Sequence, residues 1–241
     1  MTAASATKLR RREEVAERTM AFYFDKPAGF QFKAGQSVDL TLIDPPESDS
    51  EGNTRTFSIA SAPQDSELMV ATRMRDSAFK RVLALLPIGS PMQVDGPMGS
   101  FTLHQNAAKP AVFLTGGIGI TPFLSMARQA VAEKLPRSLY LFYSNRRPED
   151  AAFLEDIQNL ADASSTFHFI PTMTKMARSS QAWHGPTGFI DREMLVGQLS
   201  NLHGPIYYLA GPPGMVAAMR QMLSSAGVDE DDIRTEEFAG Y

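Results

Sequence analysis

Residues 111–122 read Ala-Val-Phe-Leu-Thr-Gly-Gly-Ile-Gly-Ile-Thr-Pro. A short apolar strand runs into a glycine turn, and a proline stands where the first helical turn has no partner for its N–H. Beyond it Phe123, Leu124, Met126, Ala127, Ala130 and Val131 fall on one helical face. The same alternation continues with apolar strands over 139–144, 167–172 and 206–210, separated by amphipathic helices. This pattern predicts a parallel sheet with helices on both sides. The glycines are not the dehydrogenase fingerprint G-x-G-x-x-G, because counting from Gly117 the third glycine position is Pro122. A strand, a glycine turn and a Pro-started helix still leave a positive helix end that suits a phosphate.

The first hundred residues have another character. Segments 15–24, 38–43, 56–60 and 68–73 are short and rich in β-branched, aromatic or alternating apolar residues, with turn formers such as Asp44-Pro45-Pro46 between them. Glu47 to Asn53 is polar and acidic and reads as an exposed loop. One helix is expected over 77–86, and Gly96-Pro97-Met98-Gly99 reads as a closing turn. Many short strands with a single helix predict a small antiparallel barrel. The expected fold class is therefore two domains, an N-terminal antiparallel β-barrel over residues 1–106 and a C-terminal α/β parallel-sheet domain over 107–241.

Composition narrows the classes. The chain has 241 residues, a formal net charge of −4 and no cysteine. The charge gives no reason to expect nucleic acid or an anionic membrane as partner. Without cysteine the chain holds no disulfide, no thiolate zinc site and no Cys-ligated iron–sulfur cluster. Any one-electron carrier is then a separate protein or molecule. No apolar core of signal-peptide length opens the sequence and no run approaches a membrane span, so a cytoplasmic location is the expectation. His104, His168, His184 and His203 show no i, i+4 pair and no carboxylate arrangement that reads as a metal site, and no metal is expected.

Three motifs occur in a suggestive order: Arg55-Thr56-Phe57-Ser58, the turn Thr115-Gly116-Gly117-Ile118-Gly119-Ile120-Thr121-Pro122, and Ala210-Gly211-Pro212-Pro213-Gly214-Met215. In this order they resemble the ferredoxin–NADP reductase-like flavoenzymes, from about residue 8 to the C-terminus. The resemblance implies FAD held by the first motif and NAD(P)H held by the other two, including Thr115, Gly116, Gly117, Gly119, Thr121, Pro122, Gly211, Pro212 and Met215. Arg55 is placed to pair with the flavin pyrophosphate, Phe57 to offer a flat apolar surface, and Ser58 to hydrogen-bond near the reactive ring nitrogen. The same four residues would also suit an ordinary strand with Phe57 in the core. Thr72, Arg73, Met74, Ser77 and Ala78 match the family's second flavin-binding segment, where a capped helix start receives the pyrophosphate. Arg73 and Arg75 also read as solvated charges.

At the end of the second parallel strand, Ser144, Asn145, Arg146 and Arg147 carry no carboxylate before Glu149, which leans toward NADPH. The family pattern usually has tyrosine at Phe57 and cysteine at Ala210, so a hydroxyl contact and any thiol assistance are absent here. Glu236-Glu237-Phe238 resembles the family's acid-x-aromatic ending, with Phe238, or Tyr241 as second candidate, covering the flavin. The resemblance implies hydride transfer from NAD(P)H to FAD, with Ser58 and Phe238 at the chemistry, and onward electron transfer to a separate acceptor such as a ferredoxin. Reduction of free flavin or ferric chelates is an alternative within the fold, and a non-catalytic redox-sensing subunit is one from another class.

Overall fold

The computed structural model describes residues 4–238. Strand β1 (Ser5–Ala16) opens the chain although Arg10 to Glu14 is a run of charges. Leu9 turns fully inward, while Arg10 reaches Asp25 at 2.5 Å and Arg11 reaches Glu67 at 3.3 Å. The Arg10–Asp25 pair joins neighbouring strands, and such a cross-strand pair contributes roughly 0.2–1 kcal/mol; the Arg11–Glu67 pair reaches across β2. The single strand expected over 15–24 is thus two strands, broken where Arg18 takes φ 57°, and β2 (Thr19–Asp25) runs back along β1.

β3 (Ser37–Leu42), β4 (Thr54–Ser58) and β5 (Glu67–Arg73) fall within a few residues of their predicted positions. Helix α1 (Ala78–Leu85) follows, and β6 (Pro91–Met98) occupies a stretch whose end read as a turn. The strands form one antiparallel sheet in the order β4-β3-β6-β1-β2-β5. The sheet curls into a barrel: Ala60, two residues past β4, donates its N–H to the carbonyl of Met69 in β5 at 2.8 Å. Phe22, Phe24, Val38, Leu40 and Phe79 fill its interior. Each such side chain contributes roughly 1.5–3 kcal/mol on burial.

The second sheet is built from β7 (Ala111–Gly116), β8 (Leu139–Asn145), β9 (Phe167–Met173), β10 (Ile206–Gly211) and β11 (Ile233–Glu237). All pair in parallel, in the order β11-β10-β7-β8-β9. Helices α2 (Thr121–Ala132), α3 (Leu154–Asp162), α4 (Arg192–Gln198) and α5 (Pro213–Ser225) alternate with these strands. β7 comes first in the chain and lies in the middle. The order therefore reverses between β7 and β10, and open parallel sheets form a crevice outside the strand carboxyl ends at such a point. No helix among the described residues is long and apolar enough to cross a membrane.

The sheets meet along α2. Phe123 stacks on Phe113 at 4.7 Å and lies 5.7 Å from Phe101. Tyr23, Met69 and Ala71 of the antiparallel sheet share one apolar cluster with Phe123 and Met126. Polar contacts lie beside it: Ser125 Oγ donates to the Ser61 carbonyl at 2.6 Å, Arg128 pairs with Asp65 at 3.2 Å, and Arg147 pairs with Glu17 at 2.6 Å.

Candidate functional site

A cleft of about 630 Å³ opens between the barrel and the parallel sheet, well within the roughly 300–1,000 Å³ of small-molecule sites. β4 contributes Arg55, Thr56, Phe57 and Ser58, and β5 contributes Thr72 and Arg73. Arg75, Ser77 and Lys80 line it from the start of α1. Ile118, Thr121, Glu236 and Phe238 face them from the other sheet. The first motif, the second segment, one glycine turn and the acidic tail are thus brought to one place.

The barrel wall is markedly cationic. Arg55, Arg73, Arg75 and Lys80 all reach the cleft. The Lys80 ammonium donates to the Arg73 carbonyl at 2.8 Å. Burial, and then the charges of Arg75 and Arg55, push its pKa down to about 8. Such crowding of like charges leaves the wall suited to an anion. Lys80 was missed in the sequence, although it stands three residues after Ser77 on the first turn of the helix assigned to phosphate.

Several expected contacts are placed differently. The N–H of Ala78 at the start of α1 does not face outward: the Asp49 carboxylate accepts from it at 3.0 Å. Ser77 Oγ accepts from the Lys80 N–H at 3.4 Å, as an N-cap does. The helix end is therefore capped by the chain's own groups, and Ala78 is corrected from a ligand contact to a capped position. The Arg55 guanidinium donates to the carbonyls of Glu51, Gly52 and Thr54 and pairs with Asp49 at 3.2 Å and Glu51 at 2.9 Å. Phe57 is only 8% exposed and packs with Phe79 at 5.9 Å, so most of its surface serves the barrel interior. Met74 packs against the same interior, and Ser58 sits buried at the cleft wall.

The glycine turns owe their composition to each other. A Cβ on Gly119 would lie 2.4 Å from the Ala210 carbonyl oxygen and 2.7 Å from Gly211 Cα. On Gly116 it would meet Met215 Sδ at 2.6 Å. Gly117 takes φ +56° and Gly211 φ +146°, conformations costly for other residues. The close approach is thus between the two turns, at the point where the strand order reverses. Thr115 is fully buried, its Oγ1 donating to the Ala210 carbonyl at 2.8 Å, so it is corrected from a ligand contact to a tie between β7 and β10. Met215 is a filler between Gly116 and Gly211. Thr121 donates to the Ile118 carbonyl at 3.1 Å, and Pro122 stands in the first turn of α2 as expected. Pro212 precedes α5. Ala210 is fully buried.

At the end of β8 the two arginines part company. Arg147 binds Asp150 through Nε and Nη2 at 2.9 Å each and Glu17 at 2.6 Å. Its guanidinium bridges the two sheets, so a coenzyme phosphate there would compete with Asp150 and Glu17. Arg146 is exposed, next to the half-buried Ser144 and the buried Asn145. Asn145 Nδ2 is buried without a partner.

The tail returns to the cleft. β11 pairs with β10, and Phe238 donates its N–H to the Gly211 carbonyl at 3.0 Å. Tyr241 lies outside the described residues. Glu236 Oε2 is buried without a partner, and burial pushes its pKa up to about 7, so near neutral pH this carboxyl holds a proton part of the time.

Residues 113–221 match the family described as oxidoreductase NAD-binding domain. Over 224 residues the chain is 29% identical to the glycine betaine monooxygenase reductase subunit of Chromohalobacter salexigens, covering 92% of this chain and 60% of that protein. It is 28% identical to ferredoxin–NADP reductase B of Sorangium cellulosum, covering 92% of this chain and 91% of the relative. The chain thus spans about three fifths of the first relative's length but nearly all of the second's. Among solved structures, the flavohem-like FAD/NAD binding domain of nitric oxide dioxygenase from Vibrio cholerae O1 biovar El Tor superposes with a TM-score of 0.84 at 16% identity, over 97% of this chain and 98% of the other.

Proposed function

We propose that this chain, which resembles the ferredoxin–NADP reductase-like flavoenzymes, is an NAD(P)H-dependent FAD reductase that serves a separate electron acceptor. The supporting observation is a juxtaposition: a cation-rich wall with buried hydroxyls faces the carboxyl end of a parallel sheet across one cleft. Four cations suit the diphosphate of FAD, and the barrel-side residues Ser58, Thr72 and Ala71 leave a mixed floor for its ring. The abutting turns at Gly116–Gly119 and Gly211 suit NAD(P)H, since they lie where parallel sheets receive nucleotides.

When bound, the flavin accepts a hydride from NAD(P)H and can give electrons up singly, which is chemistry the cofactors carry. The chain's residues position and shield. Ser58 holds a hydroxyl at the cleft wall, where it can hydrogen-bond the flavin near its reactive nitrogen. Phe238, at the cleft lining, would shield a bound flavin ring from water. Glu236, with a pKa of about 7, can keep or release a proton at that end of the cleft. These 241 residues hold no cysteine, so an iron–sulfur centre that takes the electrons lies outside them, and a ferredoxin or an oxygenase component is the partner class that the relatives' names suggest.

Colour and stoichiometry test this reading. Purified protein supplied with FAD is expected to be yellow and to release close to one FAD per chain on denaturation. A chain that folds, yet takes up no flavin, refutes it.

A further inference from the structure

The β3–β4 loop brings two carboxylates to the guanidinium of Arg55, and they stand there differently. Asp49 grips three groups at once, Arg55 at 3.2 Å, the Ala78 N–H at 3.0 Å and the Glu51 N–H at 3.0 Å, and its side chain is 31% exposed. It ties the loop to the start of α1. Its pKa lies below the ordinary carboxylate range, chiefly through the Ala78 N–H. Glu51 holds Arg55 at 2.9 Å, but its side chain is 72% exposed and it lines the cleft itself. Nothing else is bonded to the Glu51 carboxylate among the described contacts. Asp49 is therefore a fixed support behind Arg55, and Glu51 a loose anion on its cleft side.

We propose that Glu51 is an internal competitor for the flavin diphosphate: its carboxylate occupies the anion-binding face of Arg55, and FAD must displace it. The inference rests on the FAD reading above. Glu51 and a diphosphate carry like charge and seek the same guanidinium, beside Lys80, Arg73 and Arg75, so both cannot hold it at full strength. An ion pair whose carboxylate is mostly exposed is weak, and so Glu51 is displaceable while still lowering affinity. Only the Glu51 side chain need swing out, because the loop backbone stays tied to Arg55 through the carbonyls of Glu51 and Gly52. Neighbouring carboxylates then have opposite effects on one cofactor. Asp49 favours flavin binding by orienting Arg55 and capping α1, whereas Glu51 opposes it.

The experiment is titration of the full chain with FAD and, separately, with riboflavin, which lacks phosphate, at low and high salt. Glu51→Gln is expected to tighten FAD about three- to fivefold at low salt, the equivalent of losing an exposed pair. The gain should shrink toward nothing near 1 M salt, where the screening length is about 3 Å. Riboflavin affinity should not change. Asp49→Asn should weaken FAD. Equal or weaker FAD binding by Glu51→Gln, or the same gain with riboflavin, would overturn competition for the diphosphate. If the wild-type chain binds riboflavin and FAD equally, no diphosphate site exists and the competition is likewise overturned while a flavin site stands. Uptake of neither flavin by any of the proteins would sink the FAD reading itself.

Discussion

The two walls of the cleft are built on opposite principles. The barrel wall offers charge: Arg55, Arg73, Arg75 and Lys80 line it from β4, β5, the β5–α1 connection and α1. The parallel-sheet wall has shape instead, with two glycine turns pressed together so closely that a methyl group on Gly119 would lie 2.4 Å from a carbonyl oxygen. One wall is adjustable, screened by salt and balanced by its own acids at Asp49 and Glu51. The other is fixed by backbone where Gly119 meets Ala210 and Gly211. A cofactor retained through many turnovers fits the charged wall, and a coenzyme that must come and go fits the wall whose binding groups are already in place and need no reordering.

The largest effect is expected on the charged wall. Lys80→Ala should weaken FAD retention by about 1.5–3 kcal/mol, typical of a lost hydrogen bond to a charged group, while coenzyme affinity stays near wild type. Equilibrium dialysis with FAD measures it. Retention at the wild-type level would mean that the wall's charge is ornamental and the contrast drawn here is wrong.

Gly119→Ala probes the other wall. The Cβ must push Ala210 and Gly211 aside, at about 1–3 kcal/mol for overpacking, so Tm should fall and KM for NAD(P)H rise with flavin content unchanged. Loss of flavin alongside would show that the walls are not separable.

Ser58→Ala should leave the protein yellow and slow flavin reduction about tenfold, the effect of 1.4 kcal/mol lost only in the transition state. Stopped-flow reduction at saturating coenzyme reads this, and an unchanged rate would place Ser58 in the barrel wall alone.

Acidity sharpens the comparison further. Lys80 titrates at about 8 in the free protein, and a bound diphosphate raises that value. FAD binding then takes up a proton, and affinity should fall as pH rises above about 8, by no more than tenfold per pH unit. For Glu236 the folded-state pKa of about 7 lies above the ordinary 4.5. The folded chain therefore binds more protons than the unfolded chain between those values, and its contribution makes stability decline as pH rises from about 4.5 to 7. Glu236→Gln should flatten that slope in denaturant titrations. A slope unchanged by the substitution would assign it to other groups.

The smallest effect belongs to Arg146, exposed at the end of β8. Arg146→Ala should raise KM for NADPH by about fivefold or less, as for an exposed pair, with NADH unaffected. Equal changes for both coenzymes would remove Arg146 from the choice.

Legibility in the sequence followed the same division. The parallel sheet was readable because its apolar strands and glycine turns are local signals. The barrel strands with aromatic and β-branched residues were readable too. β1 was not, because its inward residues are hidden among Arg10, Arg11, Arg12, Glu13 and Glu14, and the partners of Arg10 and Arg11, Asp25 and Glu67, lie on other strands. Thr115 and Arg147 read as ligand contacts since their positions were right. Only the fold shows that Thr115 ties β7 to β10 and that Arg147 spans to Glu17. The Asp49 cap on α1 joins residues 29 positions apart, a relation that no local pattern carries. Lys80 had a local signal in its spacing from Ser77, but its depressed pKa comes first from burial and then from Arg75 and Arg55, which only the fold brings about.

The central claim is that one cleft joins a flavin held by charge to a nicotinamide held by shape. Anaerobic single-turnover reduction of the FAD-loaded chain by NADPH and NADH tests it most directly, with coenzyme deuterated at the transferring position as the comparison. The account predicts bleaching of the bound flavin in a phase that slows severalfold with the deuterated coenzyme. Bound FAD that keeps its visible absorbance in saturating amounts of both coenzymes would contradict it.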